Sequence, residues 1–110
     1  MADGLSVLSS NFNVSAPGAN TDILTTSITP QYGCALRVTV CLATASVFNV
    51  TMTQGSTTFT CGLNSSVALN AGDLYAFTFG ANTSTAYNFR VETDGVIRIL
   101  QIDSVINGAI

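Results

Sequence analysis

The sequence predicts an all-β domain built as a single antiparallel β-sandwich, and three observations carry that reading. Val, Ile, Thr, Phe and Tyr recur through the chain in short runs whose apolar residues alternate with polar ones, as half-buried strands require. Turn signals, mostly Gly, Asn, Asp and Pro, return about every ten positions. No useful length of chain repeats its apolar residues at the spacing of a helix face, so no helix is expected.

The first elements are the least patterned. Residues 6 to 14 and 22 to 29 read as two weak strands separated by "SAPGAN", where Pro17 and Gly18 mark a turn; Pro30 and Gly33 close the second. In "CALRVTVCLA", residues 34 to 43, Leu36, Val38, Val40 and Leu42 alternate with Arg37, Thr39 and Cys41, which makes a half-buried strand. In "SVFNVTMTQGSTTFTCGL", residues 46 to 63, a type II′ turn at Gly55-Ser56 sets Gln54 against Thr57 and with it the register of a whole hairpin. Met52 then faces Phe59, Val50 faces Cys61 and Phe48 faces Leu63 on a side expected in the core. Thr53 meets Thr58, Thr51 meets Thr60 and Asn49 meets Gly62 on the other.

In "LNAGDLYAFTFG", residues 69 to 80, Tyr75, Phe77 and Phe79 match the phase of Val67 and Leu69 across the turn and are expected in the core, with Leu74, Ala76 and Thr78 facing outward. Tyr75 opens its strand, a position that suits plain packing or a tyrosine corner with the hydroxyl tied to backbone. In "AYNFRVETDGVIRILQI", residues 86 to 102, a three-residue loop with Gly95 left-handed pairs Val91 with Ile97 and Phe89 with Ile99. The same register opposes Arg90 and Arg98, with Glu92 diagonal to Arg98. With 66 to 69, 74 to 79 and the C-terminal strand, the count reaches about eight or nine, in a jelly-roll or Ig-like sandwich. One domain spans 1–110, and 1–15 is a candidate assembly arm or exchanged strand.

Composition narrows the partners. Nine of the 110 residues are charged, six acidic and three basic (Arg37, Arg90, Arg98), with no lysine, whereas an ordinary domain carries roughly 25%. Asn, Ser and Thr, with 9, 11 and 15 residues, must build a neutral, hydroxyl-rich surface instead. A net charge of −3 without a basic cluster argues against nucleic acid as a partner. No segment approaches the ~20 apolar residues of a membrane-spanning helix, so no membrane partner is expected. "MADGLSVLSS" has neither the basic start nor the apolar run of a signal peptide, and the chain is expected to begin where it is written.

The chemistry-bearing residues are sparse. Without histidine, the commonest general base and metal ligand are missing. The carboxylates Asp3, Asp22, Asp73, Glu92, Asp94 and Asp103 are scattered, and Asp73 and Asp94 sit where turns recruit Asp. Cys34, Cys41 and Cys61 lack a CxxC spacing. Alternation puts Cys34 and Cys61 with the apolar set and Cys41 on the opposite face, which reads as two buried thiols and one free one, or as a Cys34–Cys61 bridge. Asn-x-Ser/Thr triplets begin at Asn13, Asn49, Asn64 and Asn82, but glycosylation needs a secretory route that the sequence does not signal. No catalytic residue, metal ligand or cofactor is assigned, and the chain is not expected to be an enzyme.

The segments "ALRVTVCLATASVFNVTMTQGSTTFTCGLNSSVALNAGDLYAFTFG" and "YNFRVETDGVIRIL" resemble small all-β virion structural proteins of tailed bacteriophages and related viruses, over roughly residues 34 to 103. The resemblance implies a capsid-associated role, as a decoration protein clamping a preformed shell or as a small coat subunit. It implies homo-oligomers, commonly trimers at lattice symmetry points, and a second partner in the major capsid protein or neighbouring coat subunits. The location it implies is the capsid surface of a virion assembled in the host cytoplasm. It offers no functional motif whose residues carry over one by one.

A mean hydropathy of +0.46 with so few charges agrees with that expectation, since soluble monomers rarely expose large apolar patches. The residues expected at the assembly interface are Leu5, Val7 and Leu8, the sizeable apolar groups of the N-terminal arm, together with Arg90, Glu92 and Arg98. The last three form either a solvated cluster or an anionic contact with a neighbouring subunit. Two rival readings are an extracellular β-sandwich binding module and a secreted filament subunit that lends its N-terminal strand to a neighbour.

Overall fold

Alternating β-branched and aromatic residues pack best on a pleated surface with one face covered, and two such surfaces close against each other here. The computed structural model describes residues 4–15, 18–30 and 33–106, which form seven strands. They are β1 (Gly4–Ser15), β2 (Cys34–Leu42), β3 (Phe48–Gln54), β4 (Thr57–Gly62), β5 (Leu74–Ala81), β6 (Ala86–Val91) and β7 (Val96–Ile106). One antiparallel sheet runs β1-β7-β2-β5 and the other β4-β3-β6. A single 3-10 turn at Asn64–Ser66 is the only helical element among the described residues. Seven strands replace the eight or nine expected. Residues 22 to 29 contribute one bridge, Ile28 to Tyr87, and 66 to 69 one bridge, Leu69 to Ser46, rather than full strands.

Both sheets feed one core. Leu36, Val38, Val40 and Leu42 of β2 and Ile97, Leu100 and Ile102 of β7 pack with Phe48, Val50, Tyr87, Phe89 and Val91 of the other sheet. Tyr75, Phe77 and Phe79 of β5 are half-buried against that cluster, in the expected phase. The Phe48 and Phe89 rings stack with centroids 5.6 Å apart, and Phe79 meets Tyr87 across the two sheets at 5.8 Å.

The β3–β4 hairpin has the register that its turn dictates, Gln54 to Thr57 through Asn49 to Gly62, with Gly55 at a φ of 59°. The Thr53 and Thr58 hydroxyls bond at 2.9 Å across it. Its expected burial is not realised on the second strand. Phe59 is 55% exposed, Cys61 is exposed, and of the hairpin only β3 lies under the core; Val67, beyond the strand and also expected in core phase, is exposed too. Cys61 carries a free thiol, so the Cys34–Cys61 bridge is not formed, and the buried thiol is that of Cys41. The side chain of Cys34 lies outside the described residues.

Residues 86 to 102 do not form a hairpin. β6 pairs with β3, whereas β7 pairs with β1 and β2, so Arg90 does not oppose Arg98 and Val91 does not pair with Ile97. The reason is burial: Phe89 and Val91 on one side, and Ile97 and Leu100 on the other, cover more apolar surface facing each other across the core than side by side in one sheet. Gly95 is not left-handed. It is required because the Thr44 hydroxyl lies 2.5 Å from where a Cβ would stand, so the crossing loop runs close against 43–44. On β7 the register to β2 slips between Ile97 and Ile99, placing Arg98 in a bulge that lets both Ile97 and Leu100 point inward.

Two tyrosines tie the corners. The Tyr75 hydroxyl accepts a hydrogen bond from the Asn70 amide at 2.9 Å, and the Tyr87 hydroxyl one from the Asn82 amide at 3.1 Å, the same five-residue reach at the start of β5 and of β6. Tyr75→Phe and Tyr87→Phe should each lower stability by about 1 kcal/mol, more at the buried Tyr87, in urea titrations. Unchanged midpoints for both variants would show that water serves those amides equally well.

Candidate assembly surface

The residues expected to mediate assembly are dispersed. Leu5, Val7 and Leu8 belong to β1, an edge strand paired with β7 of its own chain, with a register shift between Val7 and Ser9; their side chains lie outside the described residues. The 4–15 segment of the arm is therefore seated in its own sheet. Arg90 lies on the outer face of the three-stranded sheet and donates to Asp22 at 2.8 Å. Glu92 accepts from the Asn49 side-chain amide at 3.1 Å, and Arg98 occupies the β7 bulge of the other sheet. These three do not form the cross-strand cluster that the hairpin register predicted.

Two ion pairs form among the described residues, Arg90–Asp22 and Arg37–Asp103. Asp103, fully buried on the outer face of the four-stranded sheet, accepts from Arg37 at 3.0 Å and from the Gln101 side-chain amide at 3.1 Å. Arg37 and Asp103 are direct cross-strand partners, so their carboxylate–guanidinium contact costs little side-chain reorganisation.

The two edges of the three-stranded sheet are treated differently. On β6, backbone groups pointing away from β3 are met by the preceding loop. The Asn20 amide donates to Val91, the Ile23 amide to Phe89, and Ile28 exchanges both its bonds with Tyr87. The side chain of Asn88 clamps the loop further, accepting from the Leu24 amide at 2.9 Å and donating to the Leu24 carbonyl at 3.0 Å. On β4 nothing comparable occurs among the described residues. The Leu63 amide donates to Phe48, so by antiparallel alternation Thr57, Phe59 and Cys61 turn their backbone to β3, and Thr58, Thr60 and Gly62 turn theirs outward.

The β4 edge lacks three of the usual protections. Its six residues include no charge and no proline, and it has no bulge against β3. Every residue from Thr57 to Cys61 is exposed, Phe59 included, although Phe59 and Cys61 stand in core phase. Directly after it, Asn64, Ser65 and Ser66 hold φ values of 58°, 54° and 60°, a left-handed turn made without glycine. Sequence reasoning missed this surface because it took phase for burial. The available signal was the thinness of the strand, with Phe59 its only large apolar residue.

No protein family, curated protein or solved structure matches the chain. No helix among the described residues is long and apolar enough to cross a membrane.

Proposed function

We propose that this chain is a virion structural protein, a decoration or small coat subunit that binds and stabilises a capsid shell through oligomerisation. Its two layers are read as one β-sandwich of jelly-roll or Ig-like type. The observation that carries the reading is the uncharged β4 edge, uncovered among the described residues, with Phe59 beside it, on a chain with only nine charged residues. Such an edge is a hazard for a free monomer and an asset for a subunit whose neighbours cover it. The resemblance of residues 34 to 103 supplies the kind of assembly: itself, as a trimer at a lattice symmetry point, and the major capsid protein or neighbouring coat subunits. No catalytic, cofactor or metal role is part of the proposal.

Immuno-electron microscopy of native particles tests it. Antibody to this chain should decorate capsid shells in a regular array at fixed copy number. Label confined to extracellular filaments or to the cell envelope would instead favour a filament subunit or a secreted binding module.

A further inference from the structure

Beyond the kind of particle, and independent of it, the geometry points to a second copy of this chain as the occupant of the β4 edge: two β4 strands pair antiparallel about a two-fold axis through Thr60, continuing the three-stranded sheet into a six-stranded one. We infer this from the register alone. An antiparallel partner must exchange bonds with outward-turned residues, so a self-pairing has its axis at one of residues 58 to 62, at a bonded pair for Thr58, Thr60 or Gly62 and at a non-bonded pair for Phe59 or Cys61. An axis at Thr58 or Phe59 runs the pairing into the Gly55-Ser56 turn, and one at Cys61 or Gly62 runs it into the left-handed turn at Asn64–Ser66. Only Thr60 leaves Thr58 through Gly62 paired along their length.

That register is also self-complementary. Thr58 exchanges bonds with Gly62 of the second copy, Thr60 with its own equivalent, and Phe59 stands opposite the small Cys61. No like charges meet, because the strand has none. The two Phe59 rings become diagonal neighbours on the core-phase face, a separation of roughly 7–8 Å that aromatic side chains span. The large apolar group left 55% exposed in one chain is thus covered by the same group of the next. β5, one of the two edges of the other sheet, lacks this motive, since its core-phase Tyr75, Phe77 and Phe79 are already packed. A two-fold contact is isologous, so it joins chains in pairs whatever ring each chain belongs to.

Charge at the axis tests the pairing. The Thr60 side chain is exposed on the hydroxyl face, so Thr60→Lys and Thr60→Glu leave the fold intact but place two like charges directly opposite each other. By sedimentation at micromolar concentration the native protein should be an even-numbered oligomer. Each variant should lose self-association roughly a hundredfold or more, halving the mass. An equimolar mixture of the two should recover the native mass, because Lys then meets Glu. A native monomer or free trimer, native mass in either single variant, or a mixture no heavier than its components overturns the inference. None of these outcomes bears on whether the chain decorates capsids, which the particle labelling decides separately.

Discussion

Phe89→Ala lowers unfolding free energy by roughly 3–5 kcal/mol, the range for an aromatic truncated in a core, whereas Phe59→Ala costs about 0.5 kcal/mol or less at a protein concentration where chains are separate. The two residues share a face of the same sheet, Phe89 on β6 and Phe59 on β4, and differ in what lies above them. Phe89 is fully buried, stacked on Phe48 and enclosed by the residues of the opposite sheet, so its removal leaves a cavity that this packing cannot close. Phe59 is mostly in water, so its truncation leaves no cavity. Urea titrations of both variants check the contrast, and a comparable loss at the two positions would mean that the opposite sheet extends over β4 after all. At higher concentration the Phe59 variant should show a second effect, weaker association, that the Phe89 variant does not.

Breaking the Arg37–Asp103 pair from one side has the second largest expected effect. Arg37→Met leaves the Asp103 carboxylate buried with Gln101 alone among the described side chains to bond it, which should cost on the order of 3 kcal/mol, the low end for an orphaned buried ion. The low end applies because the Arg37 side chain is 39% exposed and water can reach the vacated site. Replacing both residues, as Arg37→Met with Asp103→Leu, removes the desolvated charge altogether and should return stability to within about 1 kcal/mol of the native protein. The measurement is a double-mutant cycle in urea. Additive losses in the double variant would show that the two side chains act independently and that the short contact contributes no coupling.

How much could be read from the chain differs element by element. The β3–β4 register was legible because a two-residue turn with glycine at a positive φ leaves one pairing compatible with the alternation of Phe48, Val50 and Met52. The inward phase of Tyr75, Phe77 and Phe79 was legible for the same reason, period two being a property of the strand itself. The Arg90–Arg98 opposition was wrong because a local pattern cannot distinguish two strands lying side by side from two facing each other. The apolar sets of β6 and β7 satisfy either arrangement, and the core selects the second. The partnership of Arg37 and Asp103 spans 66 positions and has no local signal at all.

By itself, then, the sequence determined the class of fold, the phase of nearly every strand, the hairpin and the scarcity of charge, because each follows from backbone geometry and side-chain chemistry over a few neighbouring residues. Only the tertiary structure decided which strands share a sheet, which core-phase residues are covered, and which edge is left open. Those outcomes depend on how far one sheet extends over the other and on where a distant loop lies. Residues 20 to 28 close the β6 edge, while β4 has no partner beyond β3 among the described residues, and no pattern within Thr57–Gly62 records that difference.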